Sequence, residues 1–419
     1  MPKKTAFIII TIFILLIAGG FLAFYFYSNR GQGNDIIGAG TDNRGNIFPT
    51  GSSSSGDGTR NQNDGTVSKT DEQPSGNDSQ TTPALKELST RPSAGAIAIA
   101  TSSPDSPLVR FVERGTGNVY EVSPKSSVET RLSNTTIPKI EEVLWNKNGT
   151  HIIARYTGDD GDSIKTYSAS LTRKSADDAD MGLSGSFLTE NIRVVTKNPE
   201  QSKIFYLLQN SAGSVGITSE FDGTRKTQVF DSLLKEWLVE WPTPTQVALA
   251  SKPSTGIPGY LFLLNTRTGA LTRVISGIKG LTARVNPTGN LALYSESKTE
   301  DLLLKIFSFK DGLTREVSIT TLPEKCVWSK NDPETLYCST PSYLPTGNYP
   351  DDWYKGLVSF SDEIWKIDSR TGTGELEARL KNYTSKDIDG VNLFMSPEED
   401  YLFFTNKNDF RIWSLRLQS

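Results

Sequence analysis

An all-β fold is predicted by three features of the sequence. From about residue 85 to residue 417, short apolar runs with period-two alternation are separated by turn residues every eight to twelve positions. A two-stranded unit recurs along this region and is clearest at residues 143–156, which read V-L-W-N-K-N-G-T-H-I-I-A-R-Y. A helical period is almost absent and is indicated only at residues 231–237. Because a two-stranded unit cannot bury its own apolar face, several copies are expected to pack together.

The spacing of the repeats predicts the architecture. Copies of the unit are placed at Trp145, Thr196, Trp241, Val285, Trp328 and Met395. The first four intervals are 43 to 51 residues long, which fits four-stranded propeller blades. Each copy continues into a third strand, a glycine turn and a fourth strand, as in residues 260–264, 265–269 and 271–275.

Two further segments complete the count of blades. Residues 94–100, 108–113, 118–123 and 129–133 predict one more blade before the first repeat. The last copy has only three strands, at residues 391–395, 401–405 and 410–417. Residues 85–90 resemble a fourth strand, and pairing them with the last copy would remove an unpaired edge. The prediction is a seven-bladed β-propeller of four-stranded blades, closed by an N-terminal strand.

The turn pattern W-[SN]-x-[DN]-G resembles the repeats of TolB-type and WD-repeat-like β-propellers. It is closest at residues 145–149 and 328–332, and the resemblance covers about four fifths of the chain. The whole arrangement also resembles uncharacterised membrane-anchored propeller proteins of uncultivated small-genome bacteria. These resemblances imply the fold, and they imply no known activity.

The N-terminal region predicts a membrane anchor. Residues 5–27 are an uncharged apolar run of 23 residues, which is long enough as a helix to cross a hydrocarbon core of about 30 Å. Lys3 and Lys4 precede the run, so residues 1–4 are expected in the cytoplasm and the propeller (85–419) outside it. The lipid bilayer is then one partner, through residues 5–27. The alternative is a cleaved signal peptide, processed near residues 18–20.

Residues 28–84 predict a disordered, low-complexity linker. They are rich in Gly, Ser, Asn, Asp and Thr and have few large apolar side chains. Such a segment cannot bury enough apolar surface to offset its chain entropy. A spacer between membrane and propeller, a cell-wall-threading segment and a partner motif are all compatible with this composition.

Composition argues against several classes of function. The net charge is −4, which gives no indication of a nucleic-acid partner. The chain has two cysteines and one histidine, a scarcity that counts against zinc sites, thiol catalysis and most catalytic triads. No cofactor and no metal site are therefore predicted. His151 begins the second strand of its blade and has no partner in a catalytic motif.

One segment departs from the repeat pattern. An insertion between residues 339 and 364 (341–363 at its core) lengthens the interval from Trp328 to Met395 to 67 residues. It is expected between the second and third strands of blade six, on the face where propellers commonly bind ligands. Its candidate binding residues for a sugar, a peptide or a protein are Tyr343, Tyr349, Asp351, Asp352, Trp353, Tyr354 and Lys355. The alternative is a structural plug over the channel; a long loop in a regular array favours function.

Three smaller features have competing interpretations. Cys326 and Cys338 are symmetric about the turn of blade six, so they could form a cross-strand disulfide or remain two buried thiols. Residues 158–162 (G-D-D-G-D) could bind calcium, although a solvated hairpin turn is the better interpretation. The tryptophans that end first strands are expected in the core.

The function predicted from the sequence is a non-enzymatic, membrane-tethered β-propeller. It would display a binding or scaffold surface outside the cytoplasmic membrane to a protein, peptide or glycan of the cell envelope. The alternative is an extracytoplasmic hydrolase acting on envelope glycans or peptides, with Asp351, Asp352 and Asp362 at the channel mouth. That alternative requires two carboxyl groups about 5–10 Å apart that face one cleft.

Overall fold

The computed structural model describes residues 84–101, 107–126, 128–173, 181–299 and 301–417. The predicted anchor (5–27) and almost all of the predicted linker (28–84) lie outside these residues. Among the residues that are described, no helix has the length and apolar character needed to span a membrane.

The strands form seven antiparallel sheets of four strands, the blades of a propeller. Blades one and two contain β2 (Ser93–Ile99), β3 (Leu108–Glu113), β4 (Val119–Val122), β5 (Thr130–Arg131), and then β6 (Ile140–Trp145), β7 (His151–Thr157), β8 (Ile164–Thr172), β9 (Gly182–Phe187). Blades three and four contain β10 (Ile192–Lys197), β11 (Lys203–Gln209), β12 (Ser214–Glu220), β13 (Thr227–Ser232), and then β14 (Trp237–Thr243), β15 (Gln246–Ser251), β16 (Pro258–Asn265), β17 (Leu271–Lys279).

The remaining blades complete the ring. Blades five and six contain β18 (Ala283–Val285), β19 (Leu291–Ser297), β20 (Leu302–Ser308), β21 (Thr314–Glu316), and then β22 (Cys326–Trp328), β23 (Thr335–Pro341), β24 (Asp362–Asp368), β25 (Thr373–Arg379). Blade seven contains β26 (Gly390–Met395), β27 (Tyr401–Asn406), β28 (Ile412–Arg416) and β1 (Leu85–Glu87). Within the described residues the helices are short: α1 (Asp351–Tyr354) and two 3₁₀ turns, Pro323–Lys325 and Leu380–Asn382.

The first and last strands of the described chain close the ring, as predicted. Strand β1 pairs antiparallel with β28, with Leu85 opposite Leu415 and Glu87 opposite Trp413. The pairing supplies the fourth strand of blade seven, so β28 becomes an inner strand and β1 is the outer edge of that blade.

A side chain at the end of each of three first strands explains the recurring turn. Asn146 Oδ1 accepts hydrogen bonds from the backbone N–H groups four and five residues later, at 2.9 and 3.0 Å. Asn198 and Asn286 make the same pair of bonds. This bond pattern aligns the repeats and corrects one expectation: Lys197, not Thr196, is the residue equivalent to Trp145.

The predicted helical period at residues 231–237 is wrong. Strand β13 ends at Ser232 and β14 begins at Trp237, so this segment crosses between two blades. Trp237 packs edge-on against Phe230 and Phe262, with centroids 5.7 and 5.8 Å apart. Inter-blade packing of these rings, rather than one helical face, explains the spacing of the apolar residues.

The core consists mainly of clusters between neighbouring blades. Trp145, Trp241 and Trp328 are buried in such clusters, as predicted. Where β2 approaches β6, a Cβ on Gly95 would lie 2.1 Å from the Val143 carbonyl oxygen. The Trp145 indole N–H donates to the Gly95 carbonyl at 3.1 Å, so two first strands meet there without a side chain between them.

The first strand of every blade is an edge strand of its sheet and lines the central channel. We call the end of the channel where first strands end, with the turns 146–150, 198–202, 286–290, 329–334 and 396–400, the turn face. We call the opposite end, where first strands begin and residues 342–361 join β23 to β24, the insertion face. The insertion therefore lies between the second and third strands of blade six, as predicted.

Candidate functional site

The base of the insertion is part of the protein interior. Tyr349, Trp353 and Phe360 are 3 to 5 % exposed and pack with Leu302 and Leu322. The rings of Trp353 and Phe360 are stacked, with an interplanar angle of 8°. Two of the predicted binding residues, Tyr349 and Trp353, thus hold the insertion on the propeller.

An ion cluster is buried beneath these rings. The Lys325 ammonium donates to Asp362 Oδ2 at 2.7 Å, to Asp389 Oδ1, and to the Gly390 carbonyl at 3.1 Å. The side chains of Lys325, Asp362 and Asp389 have no exposed surface. The Trp353 indole N–H donates to Asp389 Oδ2 at 2.9 Å, which ties the insertion to the cluster.

The position of these residues in the repeat explains why they meet. Lys325 immediately precedes β22 and Asp389 immediately precedes β26, so they lie where the first strands of adjacent blades begin, at the insertion face. Equivalent positions in first strands face each other around the channel. Asp362 begins β24 and reaches the same point from within blade six.

The cluster carries two carboxylates for one lysine. Burial raises the pKa of Asp362, and the Asp389 carboxylate raises it further, against the opposing effects of Lys325 and Ser339. Oδ2 of Asp362 also accepts from Ser339 Oγ and the Gly390 N–H, each at 2.7 Å. Oδ1 has no hydrogen-bond partner among the residues that the structure describes. The carboxyl is thus fully enclosed and does not face a cleft.

The other acids of the insertion hold its backbone. Asp351 Oδ2 accepts the N–H of Thr255 at 2.8 Å and links the insertion to blade four. Asp352 Oδ2 accepts the N–H of Asn348 at 2.7 Å, within the insertion. The three carboxylates considered for a hydrolase therefore do not form an open acid pair.

The tip of the insertion is different from its base. The side chains of Tyr343, Tyr354 and Leu357 are 73, 42 and 72 % exposed, and Lys355 is exposed beside them. The Tyr354 hydroxyl donates to Glu324 Oε1, at the rim of the channel. Burial of the hydroxyl in this contact raises the pKa of Tyr354, and the Glu324 carboxylate raises it further.

Exposed apolar side chains are concentrated on the insertion face. Among the described residues, twelve large hydrophobic side chains are exposed. Nine of them lie at ends of strands or in loops on the insertion face: Phe187, Leu233, Leu234, Ile257, Tyr343, Tyr354, Leu357, Tyr383 and Phe410. Three lie on the turn face: Val128, Leu271 and Leu313. Such an asymmetry is typical of an interaction surface.

A cavity of about 350 Å³ opens at the channel mouth on the insertion face. Its charged lining includes an Arg155–Glu142 ion pair and an Arg284–Glu240 pair with atoms 3.4 Å apart. Burial raises the pKa of Glu240 despite Arg284. The Glu240 side chain keeps 27 % of its surface exposed, and this surface faces the cavity.

A second cavity, of about 600 Å³, lies at the turn face. Lys147, Lys197 and Lys330 line it. Sequence analysis missed this site. The signal available was Lys197, which stands where the aligned repeats have Trp145, Val285, Trp328 and Met395.

The remaining predicted features have clear positions. Cys326 and Cys338 are directly opposite in the β22–β23 ladder and are joined by a disulfide. The two ring nitrogens of His151 are hydrogen-bonded to the hydroxyls of Ser168 and Ser170, at 2.7 and 3.0 Å, within blade two. At residues 158–162, Asp160 Oδ1 accepts from the Ser163 N–H at 2.9 Å, which forms a hairpin turn between β7 and β8.

No family model and no curated protein sequence matches this chain. Solved structures are similar to it. An oligogalacturonate lyase in complex with manganese has 9 % identity and a TM-score of 0.50, covering 78 % of this chain and 99 % of that one. An oligogalacturonate lyase from Vibrio parahaemolyticus has 9 % identity and a TM-score of 0.52, covering 79 % and 93 %.

TolB from Acinetobacter baumannii is also similar, with 11 % identity, a TM-score of 0.40, and coverage of 77 % of this chain and 79 % of that one. What this chain shares with its structural neighbours is the fold, and its own seven sheets make it a seven-bladed β-propeller.

Proposed function

We propose that this chain is a membrane-tethered binding propeller that presents its insertion face to a protein partner outside the cytoplasmic membrane. The observation that carries the proposal is the placement of nine of the twelve exposed large hydrophobic side chains of the described residues on that face. Exposed aromatic and leucine side chains on a rigid scaffold are typical anchors of protein interfaces.

The construction of the insertion supports a binding role for its tip. Its base is held by the Lys325 cluster and by stacked rings, so the tip is carried on an ordered support. Preorganised loops lose less conformational entropy when they bind. Tyr343, Tyr354 and Leu357 are therefore the proposed contact residues, with Lys355 at their edge.

The proposed location rests on two arguments. The apolar run 5–27 and the lysines before it favour an anchor with the propeller outside the cytoplasm. The Cys326–Cys338 disulfide favours an oxidising compartment, where such bonds persist. Both arguments agree with a spacer role for residues 28–84.

The hydrolase alternative has less support. Asp362 is enclosed by Lys325, while Asp351 and Asp352 accept backbone N–H groups. A general acid and base must face a common substrate. The binding function needs no such pair.

Site-specific photocrosslinking in the native membrane tests the proposal. A photoreactive residue at Leu357 on the insertion face is compared with one at Leu313 on the turn face, which is 65 % exposed and so a matched control. We expect one protein partner to be crosslinked from Leu357 only. The affinity of that partner should fall at least about tenfold in Tyr343→Ser/Leu357→Ser and remain unchanged in Leu313→Ser.

Point variants are preferable to removal of the loop. A deletion of residues 343–360 would also remove Trp353 and Phe360, which cover the buried Lys325 cluster. Equal crosslinking from both faces, or equal affinity of the two variants, would contradict the proposal. Binding of a glycan, and of no protein, to the insertion face would also contradict it.

A further inference from the structure

The turn face has a cavity of its own, built by residues from five of the seven blades. Its volume of about 600 Å³ is in the range of small-molecule sites. Its apolar wall comes from first strands and includes Ala96, Ala98, Val327 and Met395. The cavity therefore combines apolar walls with a charged rim.

Three lysines bring positive charge to this cavity. Lys147 lies on the turn of blade two, Lys197 at the end of β10, and Lys330 on the turn of blade six. Among the described residues, none of these three ammonium groups has a carboxylate within 4.0 Å. The ion pairs found elsewhere on the propeller are missing at this point.

Two acids lie near these lysines, and both accept hydrogen bonds from neutral groups. Glu399 accepts from Ser329 Oγ at 2.5 Å and from the backbone N–H of Lys330 at 2.6 Å. Glu200, on the turn that follows Lys197, accepts from the Asn198 side-chain amide at 2.6 Å. Hydrogen bonds from neutral donors leave both carboxylates charged, so the three lysines, when protonated, give this end of the channel a formal excess of one positive charge over the two acids.

Lys197 is the central group of the site. Its ammonium donates to the Trp145 carbonyl at 2.9 Å and to Gln201 Oε1 at 3.0 Å, both neutral acceptors. An ammonium has three N–H donors, so one donor remains for a ligand. Lys197 also occupies the repeat position that is apolar in the aligned blades, at Trp145, Val285, Trp328 and Met395.

Burial gives this lysine an unusual titration. The channel wall removes Lys197 from bulk water although part of its surface lines the cavity, and with Lys330 nearby its pKa is lowered to about 7. A bound anion would favour the charged form and raise that pKa again. Placing a charge without a counter-ion in this channel costs free energy that a ligand can recover.

We propose that the turn-face end of the channel binds a carboxylate carried on an apolar body, with Lys197 as its principal contact and Lys147 and Lys330 at the rim. The lysines supply charge-assisted hydrogen bonds to the carboxylate, and the apolar wall accepts the rest of the ligand. Two sources have this chemistry, a free organic acid and the C-terminal carboxylate of a peptide. The site is independent of any protein bound at the insertion face.

Calorimetric titration of the full chain in detergent tests this proposal with two pairs of probes. One pair is 3-phenylpropanoate and its amide; the other is N-acetyl-alanyl-phenylalanine with a free or an amidated C-terminus. We expect at least one carboxylate to bind, and its amide to bind at least about tenfold more weakly. Binding of the small acid alone identifies a free organic acid, and tighter binding of the peptide identifies a chain terminus.

Variants assign the binding to this cavity. Lys197→Met and Lys330→Ala should each weaken carboxylate binding at least about fivefold. Lys330 is exposed, so its variant keeps the fold. Lys355→Ala, an exposed lysine on the insertion face, is the matched control and should bind as the unmodified protein does.

The pH dependence provides a readout that packing alone would not change. Below pH 7 Lys197 is charged before the ligand arrives, so affinity should be constant there. Above pH 7 binding must also take up a proton, so affinity should fall by up to about tenfold per pH unit, and this fall should be absent in Lys197→Met. Failure of both carboxylates to bind, equal binding of the amides, or unchanged binding in Lys197→Met would overturn the proposal.

Discussion

Two lysines are buried at opposite ends of the same channel, and their surroundings differ. Lys325, at the insertion face, is enclosed by Asp362 and Asp389 and has no exposed surface. Lys197, at the turn face, has only neutral acceptors and borders a cavity. Burial alone therefore does not assign a role to a lysine. Lys325 holds the insertion in place, whereas Lys197 keeps an N–H donor for a ligand.

The same contrast applies to the two faces. The insertion face combines a fully enclosed ion cluster with exposed aromatic rings. The turn face has hairpins closed by Asn146 and Asn198 beside a cavity whose three lysines have no ion-pair partner among the described residues. The first arrangement suits a macromolecule and the second a small or terminal anionic group.

The largest expected effect is the loss of the Lys325 ammonium. Lys325→Met would leave Asp362 and Asp389 buried without their cation, so the free energy of unfolding should fall by about 3–5 kcal/mol. Lys197→Met is the matched control, because it removes a buried charge that has no counter-ion, and it should cause no loss. Urea denaturation measures the free energy of unfolding of both variants. Equal losses would show that the two lysines contribute to stability in the same way.

The disulfide stabilises the same end of the channel. Cys326 directly follows Lys325, and its bond to Cys338 closes a loop with a sequence separation of 12. Cys326→Ala/Cys338→Ala should lower the free energy of unfolding by about 3 kcal/mol. Thermal unfolding with and without reductant measures this effect. Reductant should destabilise the unmodified protein and leave the double variant unchanged; sensitivity of the variant would point to another cause.

Stability should depend on pH through Lys197. Its pKa is about 7 in the folded protein, against the ordinary value of 10.5 for an exposed lysine. Between these values the unfolded chain binds more protons, so the free energy of unfolding rises with pH, by about 2 kcal/mol if water in the channel screens part of the charge. The difference in the free energy of unfolding between the unmodified protein and Lys197→Met, measured as a function of pH, isolates this contribution. A difference that is constant from pH 7 to pH 10 would contradict it.

The smallest expected effect concerns the tip of the insertion. Tyr354→Phe removes the hydrogen bond to Glu324 at the channel rim and should cost about 1 kcal/mol. Tyr343→Phe is the control, because that ring is 73 % exposed, and it should be neutral. Denaturant midpoints of the two variants distinguish them. Equal midpoints would mean that the tip is not fastened to the rim.

Much of the fold was predictable because its signals are local. Period-two alternation, the turns after first strands, and the odd number of strands in the last copy predicted seven blades and their closure by β1. The position of the insertion and the opposition of Cys326 and Cys338 followed from the same register. Residues 231–237 show the limit: apolar spacing that serves two neighbouring blades imitates a helical period.

The binding residues were harder to predict because exposure is not local. Tyr349 and Trp353 look like Tyr343 and Tyr354 in the sequence, yet the first two are buried and the last two are exposed. Which rings turn inward depends on contacts with residues of other strands, such as Asp389, 36 positions from Trp353.

The sequence by itself therefore determined the blades and their order, because each depends on residues close together in the chain. The closure followed from the missing fourth strand of the last copy, although the strands that make it, β1 and β28, lie at opposite ends of the described chain. Only the tertiary structure decided what the channel contains. Lys325 meets Asp389 from 64 positions away, and Lys197 shares a cavity with Lys330, because the ring brings the first strands and turns of different blades around one axis. Charge, burial and access at that axis are properties of the closed ring, and no single repeat carries them.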